Sequence, residues 1–149
     1  MFNQVSAAYR VTMSALINPG YVSLLLRVTV GAALIAHGVP KVKGGWGKQS
    51  GAWVATMGVP AAAARLVTLL EFFGGILLAV GLLVPLVAAF FVIQFAAIIV
   101  MKTSKMKAGF MGAGGKPGYE IDFVYLLLSL GILLLGSGAL SLDALLGIF

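Results

Sequence analysis

The chain has 149 residues, of which 61% are hydrophobic and 9% charged, with 20 glycines, a mean hydropathy of +1.11 and a net charge of +6. A soluble domain keeps roughly a quarter of its residues charged, so this composition excludes a water-soluble globule and sets the apolar surplus against lipid. There is no cysteine, hence no disulfide, iron–sulfur ligand set or C-x-x-C-H haem attachment, and the basic residues fall between apolar runs, where they report membrane topology rather than nucleic-acid binding.

In the first twenty residues Phe2, Val5, Tyr9, Met13 and Leu16 recur at helical spacing among Asn3, Gln4, Ser6, Arg10 and Ser14. This predicts an amphipathic helix lying in the membrane interface over residues 1–20. The segment lacks the uninterrupted apolar core and small-residue cleavage site of a secretory signal, so it is expected to be retained. Asn18-Pro19-Gly20 then turns the chain into the first span.

A spanning helix needs about 20 mostly apolar residues, and four segments approach that requirement: Tyr21–Gly38, Ala61–Leu83, Pro85–Met101 and Ile121–Leu140. The expected fold class is therefore all-α, an integral membrane four-helix bundle occupying residues 21–149 as one domain. Only Val84–Pro85 separates the second and third spans, which predicts a tight antiparallel hairpin. Pro85 falls in the first helical turn, where its missing N–H costs little.

Four spans put both termini on one side. Lys41, Lys43 and Lys48 in the first long loop and Lys102, Lys105, Lys107 and Lys116 in the second lie on the opposite face, against Arg10 with the termini. The positive-inside bias then makes the long loops cytoplasmic and the termini external. Both loops are glycine-rich, Lys43-Gly44-Gly45-Trp46-Gly47-Lys48 and Gly112-Ala113-Gly114-Gly115-Lys116-Pro117-Gly118, and with Trp53 and Tyr119 nearby they suit interfacial loops or flaps. Neither has the spacing of a phosphate-binding loop.

Ionisable groups inside spans are costly and are functional-site candidates by default. Counting ten positions from His37 places Arg27 roughly 15 Å from the cytoplasmic face, and Glu71, ten residues into the second span, lies at a similar depth. Arg27 and Glu71 are thus expected to pair, with Gln94 near the same layer. His37, Glu120 and Asp122 lie closer to the cytoplasmic face, where proton exchange or partner contact is easier. These six residues, Arg27, His37, Glu71, Gln94, Glu120 and Asp122, form the candidate polar site. A single histidine and no cysteine cannot build a bis-histidine haem site or a zinc tetrad, so no metal centre or resident cofactor is expected from this chain alone. No G-x-S-x-G elbow surrounds Ser104, Ser129, Ser137 or Ser141.

Gly74-Gly75 with Ala79 and Gly81, and later Gly131 and Gly136, offer small-residue surfaces for close helix packing. Near the end Ser141 is the expected N-cap of a short helix, with Asp143 in its first turn.

The run Arg27-x-x-x-Gly31 leading to His37-Gly38-x-x-Lys41, then Gly58-x-Pro60, then Glu71-x-x-Gly74-Gly75-x-Leu77-Leu78-x-x-Gly81-Leu82 resembles the DoxX family of small four-helix membrane proteins. The match continues in Glu120-x-Asp122 and in Gly136-x-Gly138-x-x-Ser141-Leu142-Asp143. Where that family commonly carries a basic residue after the Gly-Leu of the second span, this chain has Leu83-Val84-Pro85-Leu86. The resemblance implies a bacterial cytoplasmic-membrane protein associated with respiratory or redox processes, including thiosulfate oxidation with quinone as acceptor and assemblies handling oxidative or thiol stress.

Three roles fit these residues. The first is an accessory subunit of a quinone-linked or sulfur/thiol redox system, needing an external electron carrier and not catalytic by itself. The second is a non-catalytic subunit that anchors a larger membrane complex, and the third a small-solute transporter. The expected partners are the bilayer and other membrane subunits or further copies of the chain, with no nucleic acid.

Overall fold

The computed structural model describes residues 18–43, 55, 58–115 and 117–149. The amphipathic segment expected before residue 18 and the Trp46 and Trp53 loop lie outside the described residues. Among the described residues the helices are, in order, α1 Pro19–Lys43, α2 Ala61–Val80, α3 Val84–Lys105, α4 Glu120–Leu135 and the short α5 Leu142–Leu146. No strand occurs among the described residues. The first three are long and apolar enough to cross a membrane, while α4 has 16 residues, about 24 Å of helix.

Neighbours in the bundle run α1–α2–α3–α4 and back to α1. The packed interior comprises Val30 and Leu34 of α1, Leu78 of α2, Val87, Ala88, Phe91, Phe95 and Ile98 of α3, and Ile132 of α4. Large apolar residues such as Leu25, Ile93, Val100 and Leu134 point outward, which is stable only against lipid.

Small residues set the α1–α2 crossing. A Cβ on Gly31 would lie 2.6 Å from the Gly75 carbonyl oxygen, and one on Gly75 would lie 2.9 Å from that of Gly31, so the two backbones touch where neither carries a side chain. Gly38 meets the Phe72 backbone in the same way. The expected small-residue surface on α2 is therefore used inside the bundle, whereas Gly131 on α4 has only Leu26 within 4 Å.

Several helix ends and one internal turn differ from expectation, with α2 ending at Val80 rather than Leu83 and α3 running to Lys105 rather than Met101. Helix α1 continues through Pro40 to Lys43, five residues beyond the apolar run, because a lipid-embedded helix retains its internal hydrogen bonds wherever neighbours tolerate the proline. Helix α4 stops at Leu135 rather than Leu140, since Gly136 and Gly138 both take φ near +70° and lead the chain away from the axis. Within α2, Leu70–Gly74 forms one π-turn, an insertion that apolar periodicity does not reveal. The α2–α3 turn is Gly81–Leu83, three residues earlier than the expected Val84–Pro85, because Gly81 ends α2 in the left-handed region; Pro85 falls in the first turn of α3 as expected.

Candidate functional site

Five of the six candidate residues fall into two clusters at opposite ends of the bundle, Arg27 in one and His37, Glu71, Glu120 and Asp122 in the other. At the hairpin end, the fully buried Arg27 donates from Nη1 to the Leu78 carbonyl at 3.3 Å and from Nη2 to the Leu140 carbonyl at 2.7 Å. Asp143, equally buried, accepts from the backbone N–H of Leu83 at 2.7 Å, the N–H of Val84 at 2.9 Å and the Ser137 hydroxyl at 2.6 Å. Its own N–H donates to the Gly81 carbonyl at 2.9 Å, and Ser23 Oγ donates to the Gly136 carbonyl at 2.6 Å. Burial raises the Asp143 pKa, but the three hydrogen bonds and the Arg27 charge outweigh it and hold the carboxyl below its ordinary range.

This knot explains the hairpin. Gly81 ends α2 at φ +77°, and Leu83 adopts φ +54°, a left-handed conformation that costs a non-glycine residue roughly 1 to 2 kcal/mol. The Asp143 carboxylate supplies acceptors for the N–H groups of Leu83, which precedes α3, and Val84, its first residue, much as an N-cap side chain would, from about 60 positions away in sequence. Ser141 caps α5 as expected, accepting from Ala144 N–H at 3.1 Å.

The expected Arg27–Glu71 pair does not form. Arg27 lies sixteen positions before the true end of α1, about 24 Å, so it sits a span's depth away from Glu71 rather than level with it. Glu71, on the π-turn, pairs instead with Lys41 in the last turn of α1. Gln94 bonds to neither: both of its amide atoms are buried without a partner among the described residues.

The second cluster gathers at the long-loop end. His37, Glu71, Lys102, Glu120, Asp122 and Tyr125 border one cavity of about 310 Å³, whose apolar walls are Leu34, Phe95, Ile98 and Ile121. Lys102 bridges the α4 start to the loop, donating to Asp122 at 2.5 Å and to the Gly118 carbonyl at 3.1 Å. The loop turns back over the bundle end, with Tyr119 and Glu120 N–H groups both donating to the Phe110 carbonyl at 3.0 Å, and Gly112, Pro117 and Gly118 complete the rim. Tyr125 stacks on Phe95 with ring centroids 5.1 Å apart and meets His37 edge-on at 6.1 Å. Glu120 Oε2 is buried with no hydrogen-bond partner among the described residues.

Of the six candidates, the structure thus brings His37, Glu71, Glu120 and Asp122 together and leaves out Arg27 and Gln94. Lys41, Lys102 and Tyr125 belong to this end and were not singled out as site residues. Lys102 reads in the sequence as a topological charge and Lys41 as that and as part of the His37-Gly38-x-x-Lys41 motif, yet both lie on helices that outrun their apolar segments. Among the described residues no group of three His, Cys, Asp or Glu side chains is arranged to hold a metal ion.

A lipid-embedded helical bundle with a polar cavity at its loop end defines the class, a small helical membrane protein with a candidate ligand site. The DoxX family model matches residues 22–103, and the chain belongs to that family. It is also 34% identical over 121 residues, 81% of this chain and 84% of the relative, to a Bacillus subtilis (strain 168) protein named "Putative oxidoreductase CatD". No solved structure matches it.

Proposed function

We propose that this chain is a bacterial cytoplasmic-membrane subunit of a redox system and that its loop-end cavity holds a quinone headgroup. The observation that carries this reading is the cavity itself, a volume in the range of small-molecule sites, with aromatic and aliphatic walls and convergent acidic, basic and imidazole groups. Lys102 and His37 offer N–H donors to carbonyl oxygens, and Tyr125 with Phe95 gives an aromatic wall for a flat ring. Glu120, with one oxygen that has no hydrogen-bond partner among the described residues, is the group that exchanges protons with the cytoplasmic side. Reduction to the quinol consumes two electrons, delivered by a flavin- or metal-bearing partner chain, and two protons passing through these residues.

The relative's name as an oxidoreductase supports the redox setting, while the chemistry rests on the cavity, because a fold alone does not define a reaction. In this reading four helices span the bilayer, the long loops with their lysines are cytoplasmic and the termini external. The same residues, placed at the membrane surface, suit contact with a partner subunit.

Glu120→Gln keeps the shape of the side chain and removes its proton chemistry. Quinone-dependent turnover in isolated membranes is expected to fall roughly 10²-fold, the scale of a lost general acid–base group, with the amount of protein unchanged. Unchanged turnover overturns the role of Glu120. Stoichiometric co-purification with partner chains whose turnover is indifferent to the cavity variants assigns the chain to the anchoring class instead.

A further inference from the structure

A second concavity, about 470 Å³, runs along the lipid-facing seam between α1 and α4. Its walls are apolar, set by Val30 and Ala33 on one side and by Val124 and Leu128 on the other. Glu120, Ile121 and Tyr125 line both this groove and the polar cavity, so the two spaces meet at those three side chains. Ala33 lies ten positions from the end of α1, about 15 Å, so the groove leads from the loop end toward the bilayer middle.

We infer that this groove seats the polyprenyl tail of the ligand whose headgroup occupies the cavity, making the α1–α4 seam a lateral passage from the bilayer. The inference rests on the quinone reading above and adds the class of ligand, an amphiphile with a flat polar head and an isoprenoid chain. The volume fits: a 150 Å³ apolar cavity holds one benzene, so 470 Å³ takes roughly three such six-carbon volumes, or three to four isoprene units. A tail in lipid gains nothing hydrophobic by moving into the protein, since acyl chains are equally apolar. The groove therefore acts by shape: it lets the head reach Glu120 while the tail stays at membrane depth.

This predicts an exclusion that depends on the tail. Val124 is 52% exposed at the groove's edge, so Val124→Trp narrows the passage without repacking the core. Ala33→Trp narrows it from the opposite wall and serves as the independent second variant. Binding of menadione, which has no tail, and of menaquinone-4, which has four isoprene units, would be measured on purified protein in nanodiscs. The wild-type chain is expected to bind both within a few-fold of each other. Each variant is expected to weaken menaquinone-4 at least tenfold and menadione less than twofold. If both variants bind the two quinones as the wild type does, or lose both equally, the tail assignment is overturned and the headgroup site stands. If the wild-type chain binds neither quinone, the headgroup reading fails, and the tail assignment with it.

Discussion

At the hairpin end, Asp143 is fully buried with three donors around it and Arg27 reaches two carbonyls, whereas at the loop end Glu120 and Asp122 border a cavity of about 310 Å³ and one Glu120 oxygen has no protein partner among the described residues. Both regions hold charge in a protein with only 9% charged residues. The first spends its polar atoms on its own backbone and fixes a strained turn. The second leaves polar atoms available beside a space. Sequence depth alone made Arg27 and Glu71 look like one site, but opposite ends of a bundle can each carry one charge of an apparent pair.

The contrast can be broken most strongly at Asp143. Asp143→Ala removes the acceptor for the N–H groups of Leu83 and Val84 at the start of α3 and for the Ser137 hydroxyl, and leaves the Arg27 charge without its carboxylate. A loss of about 3 to 5 kcal/mol is expected, seen as a large drop in thermal stability in detergent, and a shift of only a few tenths would show that the knot does not hold the hairpin.

Acid titration sharpens the same point. Because the folded Asp143 pKa lies below the ordinary unfolded value of about 3.9, its stabilising contribution is fully present above that pH. It is lost as pH falls further, through the folded pKa. Thermal melts should show this contribution constant from pH 7 to pH 5 and declining below about pH 4, and Asp143→Asn should remove that part of the acid dependence.

Smaller effects are expected at the loop end. Lys41→Met separates Glu71 from its partner, but Lys41 is partly exposed and the carboxylate borders the cavity, so a cost of about 1 kcal/mol is expected from the unfolding midpoint. Glu120→Gln should be the mildest, within about 0.5 kcal/mol of wild type, because no hydrogen bond to the buried oxygen from the described residues is lost. A Glu120 variant as unstable as Asp143→Ala would erase the distinction between the two regions.

Much of the fold is legible in the chain, because hydropathy over twenty-residue windows responds directly to the bilayer. The three long apolar helices, the Pro85 start of α3 and the Ser141 cap follow from local rules. The site is legible in part: His37, Glu71, Glu120 and Asp122 stand out as ionisable residues in or beside apolar runs, and they share one cavity. Lys41 and Lys102 do not stand out, because a lysine just beyond an apolar run reads equally well as a topological charge.

What the sequence determines by itself is solvent, helix content and the short list of polar residues that hydrocarbon makes expensive. Only the tertiary structure decides which of them meet. Helix α1 runs past Pro40, the π-turn carries Glu71 at the level of Lys41, and Asp143 reaches back 60 positions to cap a helix it does not belong to. Pairing depends on how whole helices slide and rotate against each other, and that register is set where Gly31 meets Gly75 and Gly38 meets Phe72, by contacts that no local pattern encodes.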